Sequence, residues 1–194
     1  KQGKNETKKI KEKYKLINKI VLCFVGRLAE VKGVNYLINA IDLLDQNIKN
    51  KIKLLIVGDG PDRKKLEELT KQKKLNNIII FCGQKSRKET LGILQTSNIF
   101  VLPSISEGLP IALLEAMASN CACIVTNIGL PIEDKKDGLV VAPKNSSQLK
   151  KKIEILVKDK HLREQLGKNA LNKAKEKYSW GKAKEKYTKI FNNL

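Results

Sequence analysis

Short apolar runs alternate along this chain with polar segments whose apolar residues fall at helical spacing. Residues 20–25 are a continuous apolar run stopped by Gly26, which predicts a strand buried on both faces. Residues 33–44 then place Val34, Leu37, Ile38, Ile41 and Leu44 on one helical stripe. A second buried strand is expected at 53–57, ended by Gly58. Pro61 and Asp62 open a helix reaching about residue 74, with Leu66 and Leu69 inward. A third strand is expected at 78–81, and Ser86 caps a helix to about Gln95. Strand 99–102 ends at Pro103, a helix covers about 110–119, and strands follow at 121–126 and 139–141. From about Ser146 the spacing predicts two or three further helices. Residues 1–19 are polar and read as a basic linker or interdomain segment, with room for a short helix at its end. The chain therefore divides into that segment, a domain over 20–177 and a C-terminal helix over 178–194.

Strands alternating with helices imply an α/β fold, a parallel sheet of about six strands with helices on both faces. Such sheets bind ligands beyond the carboxyl ends of their strands. The loops that matter are therefore 26–33, 58–62, 82–86, 103–110 and 127–138.

Composition narrows the function. No apolar run approaches the ~20 residues needed to cross a bilayer. The chain begins at Lys1 with no signal-peptide pattern, and is expected to be a piece of a longer protein. Its net charge of +19 is uneven: residues 1–20 carry +6, residues 144–194 carry +10, and the motif-bearing middle carries +3. Two readings of the basic ends stay open, solvated helix faces or a surface drawn to anionic lipid or acidic polymer. Nucleic acid is not expected as a partner, because no zinc-finger spacing, RNA-binding signature or aromatic interleaving accompanies the basic runs. Cys23, Cys82, Cys121 and Cys123 form no metal-ligand set and read as reduced core thiols of a cytoplasmic protein. The one histidine, His161, lies in a Lys-rich helical region and reads as a surface residue, so no His-dependent triad is expected within the chain.

Three loops carry candidate chemistry. In Gly26-Arg27-Leu28-Ala29-Glu30-Val31-Lys32-Gly33, two cations five residues apart, flanked by glycines, suit a diphosphate gripped by an Arg fork and a Lys point charge; a surface turn with scattered charges is the plainer alternative. Gly58-Asp59-Gly60-Pro61 lacks the third glycine of a dinucleotide fingerprint and the Lys-Ser/Thr of a P-loop, so its glycines are structural. Residues 109–118 are apolar except for Glu115. A carboxylate there needs partners, either the hydroxyls of a ribose or a neighbouring lysine. Gly108 leaves backbone open beside a helix N-terminus, a seat for phosphate, and Glu107 stands at the loop end near whatever that phosphate carries.

Glu107 and Glu115, with seven residues between them, resemble the paired-glutamate motif of retaining family 4 glycosyltransferases. Val25-Gly26-Arg27-Leu28 with Lys32-Gly33, Ile56-Val57-Gly58-Asp59-Gly60-Pro61 and Ser97-Asn98-Ile99-Phe100-Val101-Leu102-Pro103-Ser104 match the same family in order, from about residue 20 to 150. The resemblance implies the Rossmann-like, donor-binding C-terminal lobe of a two-lobed GT-B enzyme. It implies that Arg27 and Lys32 hold the donor diphosphate, that Glu115 takes the ribose hydroxyls, and that Glu107 meets the transferred sugar. Gly108, Leu109 and Ile111 would offer backbone N–H groups, and Cys82, Gly83, Gln84 and Lys85 would edge the base. No metal or cofactor is implied, since the cations are side chains and no Asp-x-Asp motif occurs. The donor is expected to be a nucleotide diphosphate-sugar, a uridine one by preference, and the acceptor a glycan or lipid-linked sugar held by a lobe preceding residue 1. Alone, the chain would bind donor weakly and transfer nothing. A cytoplasmic site, peripheral at the inner face of the membrane, fits the Lys-rich ends. Two departures stand out: Asn120-Cys121-Ala122 replaces the usual Gly-Lys-Pro-like turn, and the 129–139 stretch is short, leaving Glu133 without an assigned role. Another GT-B nucleotide-sugar enzyme, such as an epimerase, and a non-catalytic basic binding module are the alternative readings.

Overall fold

All six expected strands form, and their order explains where a ligand can sit. The computed structural model describes residues 2–178 and residue 181. In chain order these make α1 (Gln2–Lys13), β1 (Ile20–Val25), a 3-10 turn (Glu30–Lys32), α2 (Val34–Asp42), α3 (Gln46–Lys49), β2 (Ile52–Val57), α4 (Arg63–Gln72), β3 (Ile79–Gly83), α5 (Arg87–Thr96), β4 (Ile99–Leu102), α6 (Ile111–Ala118), β5 (Ala122–Thr126), β6 (Leu139–Val141), α7 (Ser146–Lys158) and α8 (Lys160–Tyr178). Every pairing is parallel and the sheet order is β3-β2-β1-β4-β5-β6. The chain runs outward from β1 to β3 and then returns to start β4 on the other side of β1. The switch point between β1 and β4 is the crevice where such sheets bind ligands.

The sheet forms because its strands are β-branched and aliphatic residues that must be buried on both faces. Leu22, Cys23, Phe24, Leu54, Leu55, Ile56 and the whole of β4 lie within the core. Helices α2, α4 and α7 cover one face, and α5, α6 and α8, with α1 outside α5, cover the other. Asn98 starts β4 by accepting the Val21 N–H through its side-chain carbonyl at 2.9 Å, which seals the polar beginning of the β1–β4 pair.

Two departures from the sequence reading have physical causes. The polar segment read as a linker is helical over Gln2–Lys13. Ile10 and Tyr14 pack on the core, and a glycine on α5 lets α1 close in: a Cβ on Gly92 would stand 2.8 Å from Ile10 Cδ1. Helix α4 begins at Arg63 rather than Pro61, because Asp62 N donates to Leu28 O at 2.9 Å and Arg63 N to Gly60 O at 3.1 Å, holding Pro61 and Asp62 in a turn. Ser86 does cap α5, with a complete capping box to Glu89. The helix expected over 178–194 lies outside the described residues except for Tyr178, which ends α8, and residue 181.

Candidate functional site

The loop after β1 is pressed against the loops after β2 and β4, and two glycines make the contacts possible. Gly58 has φ 131°, and a Cβ there would lie 1.9 Å from the carbonyl oxygen of Gly26. Gly33 ends the 3-10 turn at φ 64°, where a Cβ would lie 2.2 Å from Pro103 O. Glycine accommodates both the positive φ and the close approach, where any Cβ would overlap a backbone oxygen. Ile105 N donates to Val31 O at 2.7 Å, stapling the loop after β4 to the 3-10 turn.

This stapling brings Lys32 to Glu107 across the β1–β4 switch point. Lys32 Nζ donates to Glu107 Oε1 at 2.6 Å, with the glutamate side chain 8% exposed. Ser104 Oγ donates to the same oxygen at 2.8 Å. The carboxylate is thus held by two donors from two loops, a charge-assisted arrangement that offsets part of the cost of withdrawing it from water. Ser104 is fully buried, and its own carbonyl accepts from Thr126 Oγ1 at 2.6 Å.

Arg27 lies elsewhere on the same edge. It is exposed and lines an open groove of about 400 Å³ with Gly26, Gly58, Asp59, Gln84, Lys85 and Thr90, at the carboxyl ends of β1, β2 and β3. Arg63 supports one wall. Its guanidinium binds Asp59 at 2.7 Å and Glu67 at 2.8 Å, and hydrogen bonds from Gly60 N–H and Arg63 hold the Asp59 carboxyl below its ordinary range. Lys85 stands 3.9 Å from Glu89.

Glu115, 18% exposed, faces Arg87 Nε at 3.3 Å. Arg87 is the first residue of α5, just past the 82–85 loop, so Glu115 is approached from the β3 end of the edge. Gly108, Leu109 and Ile111 are exposed, and nothing would touch a Cβ on Gly108. Pro110 is the N-cap of α6 and no side chain caps that helix, leaving its first turn to other acceptors. Cys82 does not line the groove: its Sγ donates to Ile80 O at 3.8 Å, and its thiol lies near Tyr14, just after α1. Burial raises the Cys82 thiol and, with the nearby thiol, pushes the Tyr14 hydroxyl up to about 12. Gly83 turns the chain at φ 69°, and Gln84 and Lys85 reach the groove.

Glu133 is committed elsewhere. Lys173 of α8 donates to Asp137 Oδ2 at 2.6 Å and Glu133 Oε1 at 3.1 Å, Lys136 donates to Glu133 Oε2 at 2.8 Å, and Glu133 N donates to Asp137 Oδ1 at 2.8 Å. This clasp ties the loop after β5 to α8. The hydrogen bonds from Lys136 and Lys173 hold the Glu133 carboxyl down at about 2.

Sequence reasoning missed Ser104 and Thr126 as partners of Glu107's loop, and Arg87 as partner of Glu115. Ser104 stood inside a recognised motif, but nothing in one-dimensional spacing reveals that a hydroxyl on β5 grips its carbonyl. All four cysteines are free, three of them buried. His161 is exposed on α8. Among the described residues no group of three or more His, Cys, Asp or Glu side chains is placed to hold a metal ion.

Residues 5–173 match the family model described as glycosyl transferases group 1. The chain belongs to that family. It is 37% identical over 193 residues to an uncharacterized glycosyltransferase of Methanocaldococcus jannaschii, covering 97% of this chain and 48% of that protein. The chain thus spans about half the length of this relative. Among solved structures, the C-terminal domain of the group 1 glycosyl transferase LpcC from Francisella tularensis is 27% identical with a TM-score of 0.77, over 88% of this chain and 93% of that one. Anabaena HepE in complex with UDP superposes with a TM-score of 0.89 at 18% identity, over 98% of this chain and 53% of that one, a likeness of fold.

Proposed function

We propose that this chain is the donor-binding lobe of a retaining glycosyltransferase of family 4, taking a sugar from a nucleotide diphosphate-sugar to a glycan or lipid-linked acceptor. The observation that carries the proposal is the juxtaposition of Lys32 and Glu107 across the β1–β4 switch point, with the Arg27–Lys85 groove on the same sheet edge. Parallel sheets bind nucleotides there. The family membership and the near-complete match to a C-terminal domain support the placement within a longer enzyme.

In this reading the nucleoside lies toward Gln84 and Lys85, the ribose hydroxyls meet Glu115, and the diphosphate runs toward Arg27 and the uncapped N-terminus of α6. The sugar then reaches Glu107. Charge builds on the leaving diphosphate as the sugar–phosphate bond breaks. Arg27, Lys32 turned from Glu107, and the α6 dipole stabilise that charge, the kind of effect that dominates many enzymes. The acceptor hydroxyl attacks the same face of the sugar as the sugar–phosphate bond breaks and gives its proton to the departing phosphate oxygen, so no protein nucleophile is required. The acceptor itself is held by the lobe that this chain does not contain, and the chain alone transfers nothing.

Uridine is the expected base, supported by the resemblance to polysaccharide-assembling enzymes and by the UDP bound to the Anabaena protein of the same fold. A thermal-shift panel of UDP, GDP and ADP with their sugars tests the reading. Stabilisation by a nucleoside diphosphate, greatest for UDP, is expected. Equal, weak stabilisation by every polyanion, pyrophosphate included, contradicts donor binding and favours a basic binding module.

A further inference from the structure

Glu107 is the residue for which the structure supplies more support than its assigned role needs. Both of its recorded hydrogen bonds, from Lys32 and from Ser104, end on Oε1. Oε2 receives none from the described residues. Lys32 is a flexible side chain, 24% exposed, and in the reading above it is also asked to serve the donor phosphates. Ser104 has no such second duty. It is 0% exposed, its hydroxyl is 2.8 Å from the carboxylate, and its carbonyl is gripped at 2.6 Å by Thr126, itself 1% exposed at the end of β5. A chain of hydrogen bonds therefore runs from the carboxyl end of β5, Thr126 to Ser104 to Glu107, and ends on one carboxylate oxygen.

We infer that Ser104 and Thr126 are positioning residues that hold Glu107 Oε1 in place, so that Oε2 is presented to a hydroxyl of the donor sugar while Lys32 turns to the diphosphate. The inference rests on the donor-site reading of Glu107. Its logic is that a carboxylate accepting a sugar hydroxyl gains most when it is already fixed in the productive geometry. A salt bridge that the diphosphate itself competes for cannot do the fixing, whereas a buried hydroxyl anchored to a strand can. The effect is confined to the sugar, because neither residue lies on the groove lined by Arg27 and Lys85.

The test compares a nucleotide-sugar with its nucleoside diphosphate by calorimetry on the full chain. The probe is whichever of UDP-glucose, UDP-N-acetylglucosamine and GDP-mannose binds wild type most tightly, set against UDP or GDP. The readout is the ratio of the two affinities, which a general loss of stability does not move. Glu107→Gln is expected to lower that ratio about 10-fold, the scale of one charge-assisted hydrogen bond. Ser104→Ala is expected to lower it roughly 3- to 10-fold with the diphosphate affinity unchanged. Because Ser104→Ala sits in the core and can fail to fold, Thr126→Val provides an isosteric loss of the second hydroxyl, with the same direction expected. Thr126→Ser keeps the hydroxyl and is expected to restore the wild-type ratio. If Glu107→Gln lowers the ratio while folded Ser104→Ala and Thr126→Val leave it at the wild-type value, the positioning role is overturned and the donor site stands. If Glu107→Gln itself leaves the ratio unchanged, or no nucleotide-sugar binds, the donor-site reading falls and this inference with it.

Discussion

At the scale of single residues, the site depends on one glycine that carries no chemistry. Gly33 lets the 3-10 turn end in left-handed backbone against Pro103, and this is what delivers Lys32 to Glu107. Gly33→Ala adds a Cβ to a φ of 64° and drives it into a backbone oxygen 2.2 Å away. Left-handed strain costs ~1–2 kcal/mol and the overlap adds to it, so a loss of at least ~2 kcal/mol in urea unfolding is expected. An unchanged midpoint would show that the two loops are not packed as described. The candidate site residues were legible in sequence because a motif ties them to loops at strand ends. Their supports were not. Thr126 and Arg87 act through contacts between residues 22 and 28 positions apart, which tertiary packing alone creates, and Ser104 reaches Glu107 only through the fold of their shared loop. Cys82 lies at the end of β3, and its thiol neighbours Tyr14, which follows a helix longer than the short one the sequence allowed.

At the scale of elements, strands were easier to read than helices. Glycine or proline stops the first, second and fourth apolar runs, and strand bounds moved by two residues at most. Helix α1 escaped because a thin apolar face, chiefly Ile10 with Tyr14 just after the helix, suffices once Gly92 lets it approach α5. The clasp between α8 and the loop after β5 was equally hidden, since it joins residues up to 40 apart. It predicts a pH dependence. The Glu133 carboxyl, depressed by hydrogen bonds from Lys136 and Lys173, contributes stability that is present above its unfolded pKa and lost as pH falls toward about 2. The Lys173 ammonium keeps a raised pKa despite burial, through its bonds to Asp137 and Glu133, so its contribution persists to high pH. Lys173→Met is therefore expected to lower the melting temperature at pH 7 and to lower it less at pH 3, measured by calorimetry. A decrement that stays constant down to pH 3 would contradict the clasp.

At the scale of the whole molecule, charge and chemistry are segregated. The site lies on one sheet edge, while the basic excess is concentrated at the two ends of the chain. No described helix is long and apolar enough to cross a membrane. We propose that the basic ends supply any attraction to anionic lipid. Because α1 is packed on α5, charge reversal is a cleaner probe than truncation. Exposed Lys8, Lys9 and Lys11 changed to Glu are expected to weaken binding to phosphatidylserine vesicles and to flatten its salt dependence, by about 1 kcal/mol per lysine near the surface. Binding that is unchanged in co-sedimentation would remove this helix from the contact.

The central claim is that one nucleotide diphosphate-sugar spans this edge, with Arg27 on its phosphates and Glu115 on its ribose. The most direct measurement is calorimetric titration of wild type, Arg27→Ala and Glu115→Gln with uridine and with UDP. Arg27→Ala is expected to weaken UDP roughly 10- to 100-fold and to leave uridine little changed, the signature of a lost charge-assisted phosphate contact. Glu115→Gln is expected to weaken both ligands alike, since both carry the ribose. Small, equal effects in all four variant titrations would contradict the donor site, whatever the fold.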